Sequence, residues 1–279
     1  MRKLVLVYDL YRLFFARTVF YKFHKLLYHL SLRGIGILNY ESDKISGEGY
    51  FIEHHVSQIR KGVVLDVGAN VGKYSKFIKR MNQDIDIFAF EPHPANYQRL
   101  VKNVDGMDIK TYNVGVGASD GSLYLYDYAD KDGSSHASLY KDVIEQIHKG
   151  QAIAHKVRII SLDAFVTENN IDRVGLLKID TEGHEMEVLK GFERCIRDNK
   201  VDLIHFEFNE MNIASRVCFK DFWEFLPNYD FSRMLQDGLV PIRDYSPVLC
   251  EIYAYQNIVA KLKAEFKQNE VSIDLGKCL

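Results

Sequence analysis

Hydrophobic positions along the chain follow two patterns. Short apolar runs at 63–65, 85–90, 174–179 and 203–208 are nearly unbroken, without the polar alternation of a half-buried strand. Such runs predict parallel strands covered on both faces. Between them the apolar residues recur at helical spacing. Tyr97, Leu100 and Val101 follow Pro94, which suits a first helical turn, and Met186, Val188 and Leu189 precede a closing Gly191. Residues 219–226 read as a further helix carrying Phe222, Trp223 and Phe225. Strands alternating with helices predict one α/β sheet across residues 47–279, with residues 1–46 as a helical extension.

The remaining segments are less regular. Residues 108–116 read as a third strand, and 122–128 alternates Leu123 and Leu125 with tyrosines, as a hairpin arm does. Residues 129–155 are polar and glycine-punctuated, predicting a mobile insert whose Tyr140, with Tyr126 and Tyr128 beside it, can stack on a sugar face. Towards the end the pattern predicts strands near 239–242 and 249–255 and a charged helix over 256–268.

The chemistry is concentrated where the apolar runs end. After the first run comes Asp66-Val67-Gly68-Ala69-Asn70-Val71-Gly72, and nineteen residues after Gly72 the second run ends on Glu91. Glycines without a Cβ let the backbone turn sharply and approach a ligand. Asn70 tolerates left-handed backbone better than most residues. An acid at the end of the second strand can accept hydrogen bonds from both hydroxyls of a ribose. A dinucleotide site shares this layout but needs G-x-G-x-x-G to cradle a pyrophosphate. Here the order is D-x-G-x-N-x-G, with no third glycine in the dinucleotide position, which favours S-adenosylmethionine, a cofactor without phosphate. Its ammonium group can be held by Asp66, directly or through water.

Composition narrows the setting. The net charge of −2 gives no overall case for nucleic acid. The four cysteines show no C-x-x-C pair, which argues against a zinc site or disulfide frame and for a reducing, cytoplasmic compartment. No window of about 20 residues is free of charge, as a membrane-spanning helix would require. Residues 1–33 stand apart: seven basic residues and the single acid Asp9 give them a formal +6, leaving −8 for the rest of the chain. Aromatics and leucines are interleaved with those bases. Such a helix can pack on its own domain, on a second subunit or on an anionic membrane surface.

Several blocks together resemble the FkbM family of S-adenosylmethionine-dependent methyltransferases. Residues 66–72 are similar to its D-V-G-A-N-x-G loop, and Phe90-Glu91-Pro92-His93-Pro94 to its F-E-P-x-P strand end. Leu162-Asp163, Leu177-Lys178-Ile179-Asp180-Thr181-Glu182-Gly183 and Leu189-Lys190-Gly191 look like its L-D and L-K-I-D-x-E-G elements. The resemblance implies a class I methyltransferase Rossmann-like fold, a mostly parallel seven-stranded sheet with helices on both faces. It also implies O-methylation of a sugar, glycan or related natural product. By position Asp66, Gly68, Asn70 and Gly72 would hold the methionyl part, Glu91 the ribose, and Gly115 and Val116 would border the adenine. His184 stands where the family commonly has a small residue, so no role carries over to it.

Methyl transfer is an in-line displacement, so the protein must chiefly position an acceptor oxygen. A hydroxyl is a weak nucleophile and gains from a base. Asp180 and Glu182 leave the third of these buried runs at its carboxyl end, followed by His184, while Glu207 arrives on the next run. Asp180, Glu182 and His184 are therefore the candidate catalytic residues. No metal site is assigned; Mg²⁺ held by Asp180, Glu182 and Glu207 is chemically allowed, but nothing in the spacing requires it. The expected partner is a small-molecule or glycan acceptor, with peripheral membrane or subunit contact through residues 1–33. Two other readings share parts of the pattern: a non-catalytic nucleotide-fold scaffold, and an NAD-dependent oxidoreductase, which lacks both its glycine pattern and a hydride-site pair.

Overall fold

A computed structural model describes residues 2–128, 133–134, 137–147 and 149–267. Its main sheet holds β1 (Val63–Val67), β2 (Ile87–Phe90), β3 (Ile109–Tyr112), β7 (Val174–Ile179), β8 (Val201–Phe208), β9 (Tyr229–Leu235), β10 (Gly238–Ile242) and β11 (Gln256–Leu262). A smaller sheet holds β4 (Gly115–Val116), β5 (Gly121–Tyr128) and β6 (Ala152–Ile160). The main sheet runs β10-β9-β11-β8-β7-β1-β2-β3, and the second runs β4-β6-β5. Pairing is parallel from β3 through β8 and antiparallel from β8 through β11, β9 and β10. This is the mostly parallel α/β fold expected, carrying an eighth strand because β9 doubles back through a tight turn into β10.

The unbroken apolar runs have the burial that their pattern requires. Every residue of β2 and β7 is buried. One face of the sheet presents Leu65, Phe90, Leu177 and Phe206 to a core that includes Phe165, Leu189 and Phe222 from flanking helices. The other presents Val64, Ile87, Leu176 and Val259 to Phe51, Ile52 and Ile78. Helices therefore cover both faces. The chain leaves β1 toward β2 and β3 on one side and later returns to β7 and β8 on the other. β1 is thus where the strand order reverses, and a crevice opens there at the carboxyl ends of the strands.

The C-terminal part departs from the expected pattern. The stretch expected as a charged helix forms β11, and 249–255 is not a strand; a short helix, Pro247–Cys250, precedes it. Gln256–Leu262 pairs with β8 on one side and β9 on the other, and two ladders outweigh the helical preference of its charged flank. Residues 108–116 likewise divide between β3 and β4, in different sheets.

The predicted insert, 129–155, lies outside the described residues at 129–132, 135, 136 and 148. Its described part is tied to the domain. Ser138 pairs with Tyr126, and β6 already begins at Ala152. Residues 2–34 contain two helices, Arg2–Phe15 and Tyr21–Gly34. Just beyond them Ile37 is fully buried and bridges Gln256 at the start of β11.

Candidate active site

The turn after β1 is shaped by what lies against it. Gly68 has φ +76°, and a Cβ on it would stand 1.7 Å from the Asp180 carbonyl oxygen. The ends of β1 and β7 meet here, and the Asp180 N–H donates to the Val67 carbonyl at 3.0 Å. Gly72 (φ +81°) is pressed on by Leu100, whose Cδ1 would be 2.6 Å from a Cβ. Between them Asn70 takes the left-handed conformation, φ +50°, that its residue type tolerates. The helix Lys73–Met81 follows directly.

Glu91 closes this turn from β2. Its Oε2 accepts the Asn70 N–H at 2.7 Å, and its Oε1 accepts the His93 N–H at 2.8 Å. A carboxylate has about four acceptor positions, so two remain for other donors. Burial pushes the Glu91 carboxyl up to about 7, against the opposing backbone hydrogen bonds from His93 and Asn70.

A second polar group lies beneath the turn. Asp66 is fully buried and accepts the Ser75 hydroxyl at 2.5 Å. The Lys178 ammonium sits 3.4 Å from Asp66 Oδ1 and 3.3 Å from Asp180 Oδ2, and donates to the Gly68 carbonyl at 3.2 Å. Burial alone would depress Lys178. The surrounding carboxylates of Asp180, Asp66, Glu48 and Glu207 outweigh it and hold the ammonium above the ordinary lysine value. Burial raises Glu48 to about 7, and burial also raises Glu207, with help from Asp180, Glu182 and Glu48. Next to them the Tyr74 hydroxyl donates to His205 Nδ1 at 2.9 Å, and His205 Nε2 donates to Asn257 Oδ1 at 3.1 Å.

The loop after β7 is set by Glu185, which is buried. Its Oε1 accepts the Thr181 N–H, the Thr181 hydroxyl and the Gly183 N–H at 3.0–3.1 Å. Glu182 in turn has φ +52°, and its carbonyl accepts the Ser138 hydroxyl at 2.7 Å. Residues 137–147 are thereby fixed over the crevice. Their Tyr140 hydroxyl lies 3.3 Å from His184 Nδ1. Burial pushes His184 down to about 4, which leaves the ring neutral at pH 7. Residues 133–134 are held at the other side. Burial of Asp127 opposes its ionisation, but hydrogen bonds from Ser134, Tyr128 and Gly133 keep its carboxyl below the usual range. His93 Nε2 lies 3.3 Å from the same carboxylate, linking this segment to the strand end that bears Glu91.

A cleft at the carboxyl ends of β1, β2 and β7 collects these features. Of the sequence-derived candidates, Gly68, Asn70, Glu91, Gly115, Val116, Asp180, Glu182 and His184 line it. Asp66 and Gly72 do not: Asp66 turns inward to Ser75 and Lys178, and Gly72 packs on Leu100. An adjoining cavity of about 430 Å³ shares Gly68, Asn70 and Asp180 and adds Asp43, Glu48, Tyr74 and Lys178. Lys178 and Glu48 have no counterpart among the sequence-derived candidates. A lysine inside the otherwise apolar 174–179 run does signal a buried, paired charge. Glu48 carries no such signal, since only the fold brings residues 43–52 beside β7. Among the described residues no group of three or more His, Cys, Asp or Glu side chains could hold a metal ion.

Comparison with known proteins gives this geometry a context. The model of the "Methyltransferase FkbM domain" matches residues 66–233. "Methyltransferase 1" of Beauveria bassiana is 32% identical over 169 residues, 56% of this chain and 64% of that protein. "Hexuronic acid methyltransferase AglP" of Haloferax volcanii is 26% identical, over 48% of this chain and 52% of its own length. "31-O-demethyl-FK506 methyltransferase FkbM" of Streptomyces tacrolimicus is 27% identical, over 51% and 64%. The chain thus spans less than two-thirds of each of these relatives.

Proposed function

The chain belongs to the FkbM methyltransferase family, and we propose that it transfers a methyl group from S-adenosylmethionine to a hydroxyl of a sugar or related natural product. The observation that carries this reading is the single cleft wall on which the Gly68–Asn70 turn, Glu91 and the Asp180–Glu182 segment meet.

The donor set of that cleft fits the cofactor. Val114, Val116, Leu125 and Leu139 form an apolar slot suited to a flat adenine ring. Glu91 keeps two acceptor positions for a ribose diol after serving Asn70 and His93. Asp180, rather than the inward-turned Asp66, offers a carboxylate to an ammonium group at the turn. When bound, S-adenosylmethionine supplies an electrophilic methyl on a good leaving group.

What falls to the chain is to hold the acceptor oxygen in line and receive its proton. Glu182 lines the cleft beside Asp180, and we assign it the proton from the acceptor hydroxyl. Asp180, paired with Lys178 at 3.3 Å, orients. His184 turns its Nδ1 to the Tyr140 hydroxyl at 3.3 Å and forms wall beneath that ring. Carboxylates accept hydrogen bonds, and the adjoining cavity adds Asp43 and Glu48, so a polyhydroxylated acceptor suits this lining. The names of two relatives, a hexuronic acid methyltransferase and a 31-O-demethyl-FK506 methyltransferase, point to the same acceptor classes.

Calorimetry with S-adenosylhomocysteine and with NAD tests the donor half. Binding of the first and not the second is expected, and the reverse would overturn the reading. Labelled-methyl transfer to a panel of saccharides and macrolides, with Glu182→Gln as control, tests the acceptor half.

A further inference from the structure

We propose that residues 2–34 form a docking device for anionic lipid surfaces. The helices Arg2–Phe15 and Tyr21–Gly34 are joined by the short turn Thr18–Phe20. Tyr11 donates to His24 Nδ1 at 3.1 Å, His24 Nε2 donates to the Phe15 carbonyl at 2.9 Å, and Tyr11 stacks on Phe15. The two His24 hydrogen bonds fix the helices to each other but not to the domain. Leu32 is the one buried side chain of the second helix, at the root. Leu6, Tyr8, Phe14, Phe23 and Tyr28 are exposed, and Val19 at the turn is 79% exposed.

A run of large apolar side chains left uncovered calls for an occupant. Two facts identify it. The stretch carries +6 while the rest of the chain carries −8. Two copies packed through it would bring like charges together, whereas an anionic surface attracts it and repels the acidic body. Each helix has 14 residues, and among the described residues no helix is long and apolar enough to cross a membrane. About 20 residues are needed to span, so the geometry is that of helices lying in the interface, aromatics down and lysines at the headgroups.

The root adds an orientation. Leu38 N–H donates to the Tyr255 carbonyl at 2.7 Å, and Ile37 bridges Gln256, whose partner is Phe208 at the carboxyl end of β8. The helices therefore leave the domain from the same sheet edge that carries the cleft.

Vesicle flotation of the full chain tests this, comparing phosphatidylcholine alone with vesicles containing one-third phosphatidylglycerol. Binding to the second only, falling with added salt, is expected. At roughly 1 kcal/mol per basic residue, Lys22→Ala with Lys25→Ala weakens it about 30-fold. Phe14→Ser with Phe23→Ser weakens it without altering charge. Both variants keep wild-type affinity for S-adenosylhomocysteine, which verifies that the domain is folded. Failure of the wild type to float with anionic vesicles overturns the proposal. So does a solution dimer that the phenylalanine substitutions dissociate.

Discussion

The ammonium of Lys178 stands 3.4 Å from the Asp66 carboxylate, both groups buried beneath the turn that follows β1. The first motif block thus holds its acid against the later lysine-bearing block, not against solvent. Removing one partner strands a buried charge, which typically costs about 3–5 kcal/mol. Lys178→Met should lower the melting temperature strongly, and adding Asp66→Asn should recover part of the loss. A thermal-unfolding double-mutant cycle measures this; strict additivity would mean that the pair is not coupled.

Glu91 links binding to pH. Its folded value of about 7 lies above the ordinary 4.5. Between those values the folded chain holds a proton that the unfolded chain releases, so this group's contribution to stability falls as pH rises and stays lost above 7. The stability of Glu91→Gln relative to the wild type should therefore rise from pH 5 to pH 8, by up to ~3 kcal/mol, on top of a constant cost for the backbone N–H that an amide leaves unpaired. The same change should weaken S-adenosylhomocysteine binding about 10- to 100-fold, through lost hydrogen bonds to a charged acceptor. Melting curves against pH, paired with calorimetry, read both effects.

His184 behaves in the opposite sense. Its folded value of about 4 lies below the ordinary 6.5, so its contribution is complete above pH 6.5 and is lost as pH falls toward 4. His184→Gln should lose less stability than the wild type over that interval. If the pH–rate profile moved with this substitution, the assignment of proton transfer to Glu182 would be wrong.

Gly68→Ala should abolish cofactor binding. The added Cβ meets the Asp180 carbonyl at 1.7 Å on a backbone that already has φ +76°. Gly121→Ala, with nothing within 4 Å of the new atom, should leave binding unchanged. Calorimetry on the two variants distinguishes a local clash from a general intolerance of alanine.

Ser138→Ala removes the hydroxyl that donates to the Glu182 carbonyl. A lost hydrogen bond of this kind costs about 1 kcal/mol. Hydrogen exchange in 137–147 should accelerate while exchange in β1 and β7 stays slow.

The sequence alone located β1, β2, β7 and β8 through its apolar runs at 63–65, 85–90, 174–179 and 203–208, because strands buried on both faces leave a nearly unbroken apolar signature. It also located the turn and Glu91, since left-handed backbone restricts the residues that can occupy a sharp turn, and an acid ends the next run. Tertiary structure decided the rest. Only strand pairing made 256–262 a strand, because its two partners lie far away in sequence. Only the packing of residues 43–52 beside β7 brought Glu48 near Lys178, and only the meeting of two strand ends turned Asp66 inward and put Asp180 on the cleft wall. Local pattern records which positions avoid water and which must bend; which charges face each other depends on chain segments far apart in sequence being brought together.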